Sequence, residues 1–191
     1  MDDYEKAVEF YSKAITSNAK TPLSHNNWVN FYVRGISYER LKMWDKAEAD
    51  FKKSLELAPD QPQVLNYLAY SWVERKENLE EATDMLLRAL DQTPDDPHII
   101  DSVGWAYYVS GNYTEALKYL DKAADILPSN ATINEHLGDV LWRLKRRNEA
   151  RFQWRKALQF EHEKEREAIL TDKIENGIAD NIKTSESTKG E

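Results

Sequence analysis

The 191 residues contain no cysteine, so neither a disulfide framework nor thiol chemistry is available, and the redox compartment is left open. Glycine and proline occur only six times each. No apolar run approaches the roughly 18 residues that would suggest a membrane-spanning helix. Strand-like alternation of apolar and polar residues is nearly absent, which argues for an all-α chain. Cations are outnumbered: 26 Lys and Arg against 34 Asp and Glu give a formal charge of −8. General binding to a nucleic-acid backbone is therefore not expected. The opening MDDYEKAVEF is amphipathic and acidic, unlike a signal peptide. Histidine is too scattered for a metal site. His25, His98 and His136 lack ligand spacing, and His162-Glu163 begins a zinc-type pattern that Arg166 breaks. No metal or cofactor is expected.

What the chain does have is a period. A small residue recurs as Gly35, Ala69, Gly104 and Gly138, at intervals of 34, 35 and 34. An alanine recurs as Ala47, Ala82, Ala116 and Ala150. A bulky apolar residue follows each alanine by four (Phe51, Leu86, Leu120, Trp154), and a small one by seven (Ser54, Ala89, Ala123, Ala157). Pro59, Pro94 and Pro128 close three of the units. Four columns sharing one period identify a structural repeat of two helices, with small residues where the helices touch. Asn112 with Glu115, and Asn78 with Glu81, read as helix-start capping pairs. Asp96 before Pro97 reads as a capping acid followed by proline at the first helical position.

This pattern resembles the tetratricopeptide repeat (TPR), whose signature runs small–x2–Tyr, Ala–x3–Phe, Pro. Through NYLAYSWVERKENLEEA, DSVGWAYY and HLGDVLWRLKRRNEARFQWRKAL it is most similar to the C-terminal repeats of long bacterial TPR proteins. The resemblance implies an all-α, right-handed superhelical solenoid of antiparallel helix pairs, about ten helices in all.

Residues 1–19 read as a half-repeat, a second helix alone, with Ala7, Tyr11 and Ala14 in the repeat columns. Tyr4 and Phe10 are then left on an uncovered face, and a piece of a longer array is expected. Residues 20–27 are a linker or a backward extension of the next helix. Repeats follow at 28–61, 62–96, 97–130 and 131–164, the second with one extra residue near Glu77–Asn78. The fourth is degenerate: His162 replaces the closing proline and Arg147 a usual aromatic, so its second helix is expected to run on or bend. Residues 165–179, with Ile169, Leu170, Ile174 and Ile178, read as a capping helix, and 180–191 as a disordered tail.

In the TPR fold the concave face comes from fixed positions of each first helix. Those positions include Glu39 here, and they nominate Tyr32, Asn66, Tyr70, Asp101, Trp105, Tyr108, Glu135, Asp139 and Trp142 as a groove. Exposed rings beside hydrogen-bonding groups suit a peptide. The positions corresponding to a carboxylate clamp are Tyr32, Ile36, Tyr67, His98 and Ser102. None is Lys, Arg or Asn, so a free-carboxylate chaperone tail is not implied, and a neutral or basic partner is. Glu135 and Asp139, four apart on one helix, have no nucleophile beside them and read as an acidic surface, not an acid/base pair. A second candidate is the basic run that includes Arg143, Lys145, Arg146, Arg147 and Arg151. Phe152 and Trp154 within it read as core.

The function implied is a non-catalytic protein-binding scaffold, monomeric or weakly self-associating. The alternatives are the regulatory arm of an enzyme and a self-association module. Compartment stays open, cytoplasmic or envelope-associated.

Overall fold

The computed structural model describes residues 2–18 and 27–179. Of the expected linker at 20–27 only Asn27 is described, as the first residue of the next helix, and the tail from 180 lies outside the described residues. Among the described residues there are ten helices and no strand: α1 (Asp2–Asn18), α2 (Asn27–Arg40), α3 (Trp44–Leu57), α4 (Pro62–Arg75), α5 (Leu79–Gln92), α6 (Pro97–Val109), α7 (Tyr113–Ile126), α8 (Ala131–Arg143), α9 (Arg147–Phe160) and α10 (Lys164–Asn176). They form two compact units, residues 1–123 and 124–191.

The periodic columns are where paired helices interlock. A Cβ on Gly35 would come within 2.7 Å of the Phe51 ring, one on Gly104 within 2.6 Å of Leu120, and one on Gly138 within 2.4 Å of Trp154. These three large side chains are completely buried, as are Ala69 and Leu86, which hold the same columns in the second repeat. Each such burial stabilises the pair by roughly 1.5–3 kcal/mol. The turn inside each pair is also periodic. Lys42, Lys76, Gly111 and Lys145, each seven residues after the small residue, all have left-handed backbone (φ 60, 58, 83 and 65°).

The extra residue of the second repeat adds a second left-handed position, Asn78 (φ 46°). An N-cap ordinarily has extended backbone; Asn78 does not, and it makes no cap hydrogen bond, contrary to the sequence expectation. The other two caps form. The Asp96 carboxylate accepts from the His98 and Ile99 amides, and Asn112 Oδ1 accepts from Glu115 N at 3.3 Å.

A polar tie inside unit 1 has no counterpart in the columns. Arg34 donates through Nε and Nη2 to both oxygens of Asp50, each at 2.7 Å, and through Nη1 to Ser12 Oγ at 3.0 Å. One guanidinium thus joins α1, α2 and α3. Asp50 is buried, and its bond raises the Arg34 pKa further. On α1, Tyr4 and Phe10 are exposed.

In unit 2, helix α9 neither runs on nor bends at the missing proline. Glu161 stops it: its Oε1 accepts from the His162 and Glu163 amides, and its Oε2 from Arg166 Nε. Two sequence expectations fail here. Phe152 is exposed instead of core, and on α10 only Leu170 is fully buried while Ile169 faces solvent. A helix has one buried stripe, and Trp154 and Leu170 occupy it in their helices.

Glu48 links α3 to α4 in unit 1. Its Oε2 accepts from Trp72 Nε1 (3.0 Å) and Arg75 Nη2 (2.9 Å), and its Oε1 pairs with Lys52 (2.8 Å). Burial pushes this carboxyl up, but the bonds from Lys52, Trp72 and Arg75 outweigh it and hold it at about 2, below the ordinary 4.5. The folded pKa is depressed, so its stabilisation is complete above pH 4.5 and is lost as the pH falls toward 2. Glu48→Gln should cost about 2 kcal/mol at pH 7, allowing for solvent screening. Urea unfolding should show the gap from wild type narrowing at pH 3; a gap independent of pH would sink this account.

Candidate functional site

The nine groove candidates fall in both units, six in unit 1 and three in unit 2, and the two sets have different surroundings.

In unit 1 the relevant face belongs to α2, α4 and α6. Tyr32 is half-buried in an aromatic cluster, 5.6 Å from Tyr67 and 6.4 Å from Phe51 between ring centres. Burial, then the neighbouring Tyr67, pushes its hydroxyl pKa up to about 12. Tyr32 therefore acts as much in packing as in display. Asp101 is buried, not a surface acid. Trp105 and Tyr108 are half-buried and stack at 4.6 Å with their planes 9° apart, and Tyr108 also meets Tyr113 at 5.5 Å. Trp105 Nε1 donates to Glu74 Oε1 at 2.6 Å. Glu74 was not among the sequence candidates. It lies one residue beyond the face positions of α4, and only the diagonal between neighbouring repeats could have signalled it.

One acceptor on this face is unsatisfied: Asn66 Oδ1 is buried with no hydrogen-bond partner. Glu39 Oε2 also lacks a hydrogen bond but is ion-paired with Arg40 Nε at 3.5 Å. Unpartnered buried acceptors are uncommon in folded proteins.

In unit 2, Glu135, Asp139 and Trp142 are already occupied by the chain itself. Lys173 Nζ contacts Glu135 Oε1 (2.7 Å) and both oxygens of Asp139 (2.9 and 2.8 Å). Arg166 Nη2 donates to Glu135 Oε2 at 2.7 Å. Asp139 Oδ1 also accepts from Trp154 Nε1 at 2.9 Å, and Trp142 Nε1 donates to the Ile178 carbonyl at 2.7 Å. Burial pushes the Asp139 carboxyl up against the pull of Lys173. Burial alone would lower Lys173, yet Asp139 and Glu135 hold its ammonium above the ordinary value. These acids seat α10; they do not present an open acidic surface.

The basic run is similarly engaged. Arg143 donates to the Ala179 carbonyl (2.8 Å), Arg151 to that of Ile174 (2.9 Å), and Arg147 to that of Trp142 (3.0 Å). Arg146 pairs with Glu149, and Arg147 lies 3.7 Å over the Trp142 ring. Cations at helix C-termini satisfy the last carbonyls and complement the helix dipole. Lys145 forms the turn. Among the described residues no group of three or more His, Asp or Glu is placed to hold a metal, and no helix is long and apolar enough to cross a membrane.

Comparison with known proteins bears on the same architecture. Family models described as "TPR repeat" and "Tetratricopeptide repeat" match residues 104–145, 30–61 and 1–21. A TPR repeat-containing protein of Pseudomonas aeruginosa is 33% identical over 108 residues, 56% of this chain and 18% of that protein. The interferon-induced protein with tetratricopeptide repeats 2 of Cricetulus griseus is 25% identical over 137 residues, 70% of this chain and 28% of its own. The chain thus spans less than a third of either relative. Among solved structures, a crystal structure of MamA superposes with a TM-score of 0.65 at 21% identity, covering 88% of this chain and 92% of that one. PilF of Pseudomonas aeruginosa gives 0.65 at 16% identity, covering 90% and 84%. Those likenesses concern the fold alone.

Proposed function

Because this chain is a tetratricopeptide-repeat protein, with the fold of a protein–protein interaction scaffold, we propose that unit 1 receives a partner segment on the face of α2, α4 and α6. The observation that carries this reading is the buried acceptor Asn66 Oδ1, which has no hydrogen-bond partner. A peptide supplies what it lacks, through a backbone N–H group or a Lys or Arg side chain. The Trp105–Tyr108 stack, with Glu74 beside it, offers apolar area and a carboxylate for a side chain of the same segment. The partner is neutral or basic, since the carboxylates of this face, Glu39 and Glu74, are both negative. Binding is the whole of the activity; no catalytic role is assigned to any of these residues. The acids of unit 2 play no part in it, being bonded to Lys173 and Arg166.

The test is selection of short displayed peptides on the full chain. Affinities of the selected peptides are then compared for wild type, Asn66→Leu and Trp105→Ala, with circular dichroism to verify folding. Selected sequences should be neutral or basic, and each substitution should weaken them at least about tenfold. Peptides that are acidic, or that bind all three proteins equally, would overturn the reading.

A further inference from the structure

Away from that face, unit 1 has a second concavity. It lies between α3 and α5 over the outer side of α4, with a volume of about 720 Å³. That falls within the range of sites that hold ligands or bulky side chains of a partner. Its floor is apolar: Leu65, Leu68 and Trp72 from α4, and Met85 from α5. Its two ends are closed by cations that already have partners. Lys52 lies 5.4 Å over the Trp72 ring and pairs with Glu48, and Arg88 pairs with Asp60. Neither has charge left to attract an anion.

The α5 wall is different. Glu81 and Asp84 line the concavity, are exposed, and have no ion pair. They are three residues apart on one helix, so they project from the same side. An apolar floor under two uncompensated carboxylates is complementary to an apolar side chain carried next to a cation. The concavity follows α5 from Glu81 to Arg88, about 10 Å at the rise of a helix, or two turns. That length matches two successive anchors on one side of a docked helix, spaced three or four residues.

We propose that the α3–α4–α5 concavity is a docking site for a basic amphipathic helix of a partner protein, its leucine-type side chains on Trp72 and Met85 and its lysines against Glu81 and Asp84. This site is separate from the α2–α4–α6 face. The scaffold would then hold two segments at once.

Methyl NMR on the full chain tests it directly, because the sequence has only three methionines and Met85 is the one on the floor. The probe is a synthetic helical peptide with a leucine stripe flanked by lysines; the control replaces the lysines by glutamates. The expected result is a saturable shift of the Met85 methyl with the lysine peptide, no shift of Met43, and none with the glutamate peptide. Glu81→Lys/Asp84→Lys should weaken binding at least about tenfold. Both positions are exposed, so the fold should tolerate this exchange. The Asn66→Leu and Trp105→Ala proteins should give the wild-type Met85 shift, which separates this site from the other face. No Met85 shift with the lysine peptide would overturn the proposal. So would a shift that survives the double charge reversal, or one given equally by the glutamate peptide.

Discussion

Trp154→Ala should destabilise unit 2 by about 3–5 kcal/mol, the usual cost of deleting a buried tryptophan. Trp154 has no exposed surface, fills the space beside Gly138, and lies 5.3 Å from the Trp142 ring. Its N–H also ends on Asp139, so truncation removes one of the donors around a buried carboxylate. Collapse of the neighbours into the space cannot replace that donor. Trp154→Phe retains most of the apolar area and loses only the hydrogen bond, so about 1–2 kcal/mol is expected. Urea unfolding of the two variants, read with hydrogen exchange in α8 and α9, gives both numbers. A loss below about 1 kcal/mol for Trp154→Ala would show that this contact is not the centre of unit 2.

The second large effect is at Arg34. Its side chain is 17% exposed and that of Asp50 only 8%, so Arg34→Met strands a largely buried carboxylate. Breaking a buried pair on one side costs about 3–5 kcal/mol. Replacing both partners, as Arg34→Met/Asp50→Leu, should recover most of that loss, because no buried charge then remains. The single substitution also removes the Arg34–Ser12 bond, so the amides of α1 should exchange faster than in wild type. If the double variant is no more stable than the single one, the pair is not the source of the effect.

Much of the architecture was legible because repetition is a local, periodic signal. Gly104 and Leu120 occupy columns that recur three more times, and the interlock seen between α6 and α7 is what those columns describe. The same reasoning placed Asp96 and Asn112 as caps, since a cap depends on three or four consecutive residues. It failed at Asn78, where one extra residue changed the backbone hand. The candidate site was less legible. Trp105 and Tyr108 could be nominated from their positions, but not their stack, nor the Glu74 carboxylate on Trp105. Glu135 and Asp139 were read as acids facing solvent, because nothing near them in the sequence signals Lys173, 38 and 34 residues away.

By itself, then, the sequence determined the helices, their pairing within each repeat and the TPR family. All three follow from residue spacing within about 34 positions, where chain geometry converts spacing into contact. The tertiary structure alone decided which charges are satisfied. Arg34 found Asp50, Lys173 found Glu135 and Asp139, and three arginines of the basic run found backbone carbonyls, while Asn66 Oδ1 was left without a hydrogen bond and Glu81 and Asp84 without an ion pair. An ion pair needs only that two side chains meet in space, and it imposes no period on the sequence that carries it.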